Sequence, residues 1–275
     1  WKAGGHGDQT YLQVLQNSCN PGFVKLGQML GKEKLFSYLD LFGFGSKTGI
    51  ELSKETAGKL NFKYETEVFN AGFGQGIMVT SIQNIKALTS IANDGILLEP
   101  YIVDKIVDSS GKVIEENSRK ELGRVASKTT TDKIKDLMES VVLEGTGTNY
   151  NMPGYNLIAK TGTAQIASTN GKGYLTGQYD VIRGFAGMFP KDDPEVIIYT
   201  ALKKPKDSAT NYLAEPTKEV IKNINNYLNI DNKDVVSKSS NEEYTVKSYS
   251  SANTANTKKE LENMGINVVI LGDGD

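Results

Sequence analysis

Residues 157–166 read Leu157-Ile158-Ala159-Lys160-Thr161-Gly162-Thr163-Ala164-Gln165-Ile166. Apolar residues lead into and out of a polar centre, which places Lys-Thr-Gly-Thr inside a strand. Gly162 within that strand lets another backbone approach closely. The strand-like run extends over 155–166 and is the first of three, with 181–189 and 196–202. They are close enough in sequence to pair antiparallel. Residues 215–228 follow as an amphipathic helix with Val220, Ile221, Ile224 and Leu228 on one side. Ahead of the strands the pattern is mostly helical. Helices, then strands, then a closing helix predict an α+β fold, an antiparallel sheet flanked by helices.

Working back toward the start, Asp8 is placed to cap a helix carrying Tyr11, Leu12, Val14 and Leu15. Asn20 and Pro21 read as the cap and first-turn proline of a second helix, with Phe23, Leu26, Met29 and Leu30 inward and Gly31 at its end. Residues 32–42 form a third, closed by Gly43-Phe44-Gly45, and 46–79 are Gly-rich and irregular. Thr80 caps a helix with Ile82, Ile85, Leu88 and Ile91 inward, stopped by Gly95. Residues 101–107 and 113–116 read as a hairpin around Ser109-Ser110-Gly111-Lys112. Thr130 or Thr131 then caps a helix with Ile134, Leu137, Met138 and Val141 inward. At the far end, 231–241 is a polar linker, and 242–275 reads as a small β-α-β unit, too short for a robust core of its own.

The 275 residues are 38% hydrophobic and 23% charged, enough to bury a sizeable core, and the formal net charge of −2 leaves no electrostatic footprint for nucleic acid. No apolar run approaches the ~18 residues of a membrane span. The opening Trp1-Lys2-Ala3-Gly4-Gly5 reads as the middle of a loop, so an upstream segment is expected. One cysteine, Cys19, excludes an internal disulfide, and one histidine, His6, leaves a Ser-His-Asp triad only a Gly-rich loop to draw on.

Two short motifs carry chemistry: Ser18-Cys19-Asn20 at a helix junction and Lys160-Thr161-Gly162-Thr163 in the strand. Lys47-Thr48-Gly49 repeats part of the second, but in a loop after Gly43-Phe44-Gly45. Taken alone, Ser18 and Asn20 read equally well as helix-capping residues, and Lys160 as an exposed strand lysine. The order Ser-x-Asn, then Lys-Thr-Gly-Thr, resembles the penicillin-binding protein and serine β-lactamase superfamily. Gly4-Gly5-His6-Gly7, residues 16–23, Phe42-Gly43-Phe44-Gly45, Gly72-Phe73-Gly74-Gln75-Gly76, Glu144-Gly145-Thr146-Gly147 and residues 159–165 resemble class B penicillin-binding proteins in order, over roughly 1–230. Within that family the chain is similar to the sporulation-specific type, and 242–275 resembles a PASTA module, possibly incomplete.

The resemblance implies a sheet with an all-helical subdomain beside it and a peptidoglycan D,D-transpeptidase that works through a serine acyl-enzyme. Its partners would be stem peptides ending in D-Ala-D-Ala, β-lactams that mimic them, and a membrane glycosyltransferase. The protein would be extracytoplasmic, held by an N-terminal helix absent from this chain, and would serve spore cortex synthesis. The catalytic set implied is Ser18, Asn20, Lys160, Thr161, Gly162 and Thr163. The nucleophilic serine and its lysine form a Ser-x-x-Lys motif expected upstream, since the one match here, Ser109 to Lys112, lies in a turn on the wrong side of Ser18. No cofactor is required for the chemistry. A structural zinc on His6 and Cys19 is a further expectation, because some elongation-type relatives use those positions together with ligands further upstream. A non-catalytic penicillin or muropeptide sensor or scaffold is the rival reading. A class A β-lactamase lacks support, since no segment resembles its deacylating glutamate.

Overall fold

Thr10, not Asp8, opens the first helix, Tyr11–Gln16 (α1), because its side chain and that of Gln13 close a reciprocal capping box. The computed structural model describes residues 5–60, 62, 64–168, 173–207, 211–230 and 259. The chain divides into two compact units, Trp1–Val235 and Val236–Asp275. The expected linker and β-α-β module lie outside the described residues, Lys259 apart.

α1 ends in a Schellman turn. The Ser18 N–H donates to the Leu15 carbonyl at 3.2 Å and the Cys19 N–H to that of Val14 at 2.9 Å. Cys19 caps the next helix, Asn20–Leu30 (α2), in which Asn20 is the first helical residue rather than the cap. Lys32–Leu41 (α3) follows. A fourth helix, Glu65–Gly72 (α4), breaks the stretch expected to be irregular. It crosses α2 through glycine: a Cβ on Gly27 would come within 3.4 Å of the Gly72 Cα, and one on Gly72 within 2.9 Å of the Phe23 carbonyl. That close crossing buries Gly27 and leaves Met29 64% exposed, contrary to its expected inward placement.

Ser81–Ala92 (α5) is capped by Thr80 as the sequence predicts. Its N3 partner Gln83 is fully buried and also donates to the carbonyls of Ser46 and Ala57, tying down the preceding loop. Ile96–Leu98 (β1), Lys105–Val107 (β2), Val113–Glu116 (β3) and Glu121–Arg124 (β4) form two small antiparallel ribbons, β1 with β4 and β2 with β3. The expected hairpin is β2–β3, and the β1–β4 pair was not foreseen. In the hairpin turn the Asp108 carboxylate accepts from the Ser110 hydroxyl and from the N–H groups of Ser110 and Lys112, so Ser109 and Lys112 serve a turn. Lys128–Glu144 (α6) is capped by Ser127, three residues ahead of the expected Thr130.

The three strands predicted from the sequence form one antiparallel sheet: Ile158–Gln165 (β5), Val181–Phe189 (β6) and Val196–Lys203 (β7), in the order β5-β6-β7. Asn211–Leu228 (α7) closes the unit, with Ile221 buried and Val220 44% exposed, against expectation. One face of the sheet buries Ala159, Phe185, Phe189 and Ile198 with Ala214 and Ile221 of α7, and Tyr150 stacks on Phe185 at 4.1 Å. The other face buries Ile158 and Met188 with Met138 of α6, joined by Leu88 and Ile91 of α5. Each such side chain contributes about 1.5–3 kcal/mol by leaving water, so Phe185→Ala would open a cavity where both sheet and α7 lose support.

Candidate active site

Strand periodicity sets the site's geometry. Ile158 faces the α5–α6 side, so Lys160, two residues on, leaves the sheet on that same side, while Thr161 shares the side of Ala159. β5 is the end strand of its sheet, and among the described residues its rim away from β6 pairs with no other strand. A Cβ built on Gly162 would meet nothing within 4 Å, so open space lies over this part of the rim.

Ser18 reaches Lys160 from 142 residues earlier in the chain. The Lys160 Nζ donates to the Ser18 Oγ at 2.8 Å and to the Thr161 carbonyl at 2.6 Å. Burial pushes the Lys160 ammonium down to about 8. Ser18 makes this contact from an unusual backbone. Its φ is +48°, in the left-handed region, at the position of the Schellman turn where glycine is the common choice. A non-glycine residue there costs roughly 1 kcal/mol, and the turn aims its hydroxyl away from α1 toward the sheet.

A second link joins the same two elements. The turn after α6, Glu144-Gly145-Thr146-Gly147, runs between the end of α1 and β5. The Gln16 side-chain amide donates to Glu144 Oε2 at 3.1 Å, and the Thr146 N–H donates to the Gln16 carbonyl at 3.0 Å. A Cβ on Gly145 would lie 2.6 Å from that carbonyl oxygen, so only glycine permits the approach. On the far side the Thr146 Oγ1 sits 2.6 Å from the Thr161 Oγ1. The sequence reading named Glu144-Gly145-Thr146-Gly147 for its resemblance only, and assigned no contact to Gln16 or Thr146.

The structure thus brings Ser18, Lys160 and Thr161 together. Asn20 is half-buried on the first turn of α2, two residues from Ser18, with no side-chain hydrogen-bond partner among the described residues. Gly162 and Thr163 lie exposed along β5. Gly74 and Gly76 both have left-handed φ, consistent with turn glycines. Lys47-Thr48-Gly49 is elsewhere: Thr48 is buried, and its hydroxyl and N–H both donate to Glu55.

The expected metal site is not assembled by these residues. Among the described residues no group of three or more His, Cys, Asp or Glu side chains converges to hold an ion. Zinc takes three or four protein ligands, and His6 and Cys19 supply two. Cys19 is a buried free thiol in the turn that joins α1 to α2, bonded through its N–H to Val14, which is also buried. That packing accounts for a small apolar residue at this point.

The chain belongs to the penicillin-binding protein transpeptidase family, whose domain model matches residues 1–226. Stage V sporulation protein D of Bacillus subtilis is 47% identical over 211 residues, covering 75% of this chain and 32% of that protein. Penicillin-binding protein PbpB of Mycobacterium tuberculosis is 31% identical over 226 residues, covering 77% of this chain and 33% of that protein. The crystal structure of penicillin-binding protein 3 from Mycobacterium tuberculosis, complexed with aztreonam, superposes with a TM-score of 0.73 at 27% identity, covering 80% of this chain and 52% of that one. The α+β architecture is that of these transpeptidase domains. The chain spans about a third of the length of the curated relatives it matches.

Proposed function

We propose that this chain is the C-terminal part of the catalytic domain of a peptidoglycan D,D-transpeptidase that serves spore cortex synthesis. The observation that carries the reading is the 2.8 Å contact between Lys160 and Ser18 at the open rim of β5. It brings a residue of each of the family's two motifs into direct contact.

In this reading a serine in an upstream Ser-x-x-Lys segment attacks the carbonyl of the penultimate D-alanine and expels the terminal D-alanine. The amine of a second stem peptide then takes the acyl group. Ser18 relays a proton toward the leaving amine, with Lys160 beside it as the source of positive charge. An ammonium whose affinity for its proton is lowered to about 8 parts with it more readily than an exposed lysine does. Asn20 hydrogen-bonds the substrate amide and steadies the upstream lysine. Thr161 and Thr163 offer hydroxyls to the terminal carboxylate. The Thr163 N–H supplies one arm of the oxyanion hole, and the nucleophile's own N–H the other. An extended donor peptide can lie along the free rim of β5, and the bare Gly162 keeps that path clear. A β-lactam enters as a mimic of the D-Ala-D-Ala end and stalls as the acyl-enzyme.

The protein acts outside the cytoplasmic or forespore membrane, anchored by an upstream helix and partnered by a glycosyltransferase; among the described residues no helix is long and apolar enough to cross a membrane. The module at 242–275 is a PASTA unit in this reading. No step is routed through a metal. The test is labelling of the full-length protein with a fluorescent penicillin. Rapid, stable, stoichiometric acylation supports the transpeptidase. Slow acylation favours a sensor, no acylation favours a scaffold, and either result rejects the proposal.

A further inference from the structure

We infer that Thr146 is a positioning residue for the donor's carboxylate: its hydroxyl fixes the Thr161 hydroxyl, and its backbone locks that pair to the Ser18 turn. The inference rests on the transpeptidase reading, in which Thr161 meets the carboxylate. It starts from the 2.6 Å separation of the two threonine oxygens. A hydroxyl has one proton and two lone pairs, so one member of the pair donates and the other accepts. When Thr146 donates, a Thr161 lone pair is occupied and the Thr161 proton is left to point elsewhere. An anionic ligand at the rim of β5 selects that arrangement, since a carboxylate only accepts. Without Thr146 the Thr161 hydroxyl keeps its place but loses its fixed direction.

The second half of the device is in the backbone. The Thr146 N–H is committed to the Gln16 carbonyl, and Gln16 is buried two residues before Ser18. Gly145 makes that approach possible, as any side chain there would collide with Gln16. The turn therefore couples the proton-relay end of the cleft to the carboxylate end. Thr146 is itself exposed, so its contribution to packing is small and substitutions there leave the core intact.

The test uses the full-length protein and two probes, benzylpenicillin and its methyl ester, which differ in the charge of the carboxylate. The second-order acylation rate of each is measured by competition with a fluorescent penicillin. Thr146→Val, which keeps shape and removes the hydroxyl, should lower the acid-to-ester rate ratio about tenfold, the scale of one charge-assisted hydrogen bond. Thr146→Ser should restore the ratio to within about twofold, since it returns the same donor. In a Thr161→Val background, Thr146→Val should change the ratio no further, because its partner is gone. If the valine variant does not fold, Thr146→Ala takes its place. A ratio that stays at the wild-type value in Thr146→Val, whether both rates hold or both fall together, overturns the inference. A wild type that neither probe acylates rejects the transpeptidase reading itself and this inference with it, a failure separable from the first.

Discussion

The tripeptide Lys-Thr-Gly occurs twice in this chain, and the two copies end up in opposite conditions. At Lys47-Thr48-Gly49 the loop folds onto its own carboxylate. The Glu55 carboxylate accepts from the Thr48 hydroxyl at 2.6 Å, the Thr48 N–H at 2.7 Å and the Gly49 N–H at 3.2 Å. Burial alone would push Glu55 up, but these donors and the nearby Lys47 charge outweigh it and hold the carboxyl below its usual range. At Lys160-Thr161-Gly162 the same residues lie on an edge strand, where the lysine is turned onto Ser18 and the space over the glycine is open. The first copy shows the sequence satisfied by an acid from its own loop. Among the described residues the second has no acid of its own: its lysine lies on Ser18, its threonine hydroxyl on Thr146, and its glycine faces open space. Backbone context, strand against loop, decides which becomes a site.

The contrast can be broken hardest at Lys160. Lys160→Met keeps the length of the stem and removes the charge, and should lower the acylation rate of the full-length protein by about 10³-fold while leaving its melting temperature unchanged or raised. Lys47→Met should leave acylation at its wild-type rate. Ser18→Ala should cost somewhat less, roughly 10²-fold in acylation, as expected for loss of one proton-transfer partner. Both effects are read by fluorescent-penicillin kinetics.

The pH profile sharpens the same difference. Lys160 loses its proton as pH rises through about 8, so near pH 9 roughly a tenth of it remains charged and acylation of a carboxylate-bearing β-lactam should fall in proportion. Its folded-state value lies below the unfolded value near 10.5, so the folded state releases its proton first. Stability contributed by this residue therefore rises between about pH 8 and 10.5, which pH-dependent denaturant melts would show. Glu55 has the opposite sense. Its stabilising effect is full above its ordinary range near 4.5 and is lost as pH falls through its lowered value. The smallest effect is expected from Glu55→Gln. It should destabilise the protein by about 1–3 kcal/mol in denaturant melts and leave the acylation rate of the folded protein within about twofold.

How far these features can be read from sequence alone depends on how local their cause is. Two strands of the sheet were legible almost to the residue, since 181–189 and 196–202 are largely apolar runs bounded by polar turns, and β6 and β7 occupy Val181–Phe189 and Val196–Lys203, while β5 begins three residues later than expected. The Thr80 cap was legible because Gln83 stands three residues on. α4 was missed because it starts after Tyr64, outside the usual capping types, with Glu67 reaching back to the Tyr64 N–H. The exposure of Met29 was missed because it follows from the Gly27–Gly72 crossing, which joins segments far apart in the chain. In the site, Ser18 and Lys160 could be paired through motif order, yet the roles of Gln16, Gly145 and Thr146 could not. Their motif could be seen, but their partners, Glu144 and the Gln16 carbonyl on one side and Thr161 on the other, are set by tertiary approach and not by sequence spacing. The zinc expectation placed its other donors upstream of His6 and Cys19, and among the described residues no group of three donors stands in for them.

The twist of the chain at Ser18 also limits what evolution can substitute there. Serine and threonine are near equivalents as proton carriers, yet they are unequal at a φ of +48°. A branched Cβ is poorly tolerated in left-handed backbone, so threonine would have to unwind the turn or carry its hydroxyl elsewhere. Glycine would relax the turn and lose the oxygen. The position therefore admits very few chemical alternatives, and under the proposed function a change in β-lactam response is expected to come through the residues around Ser18 rather than through Ser18 itself.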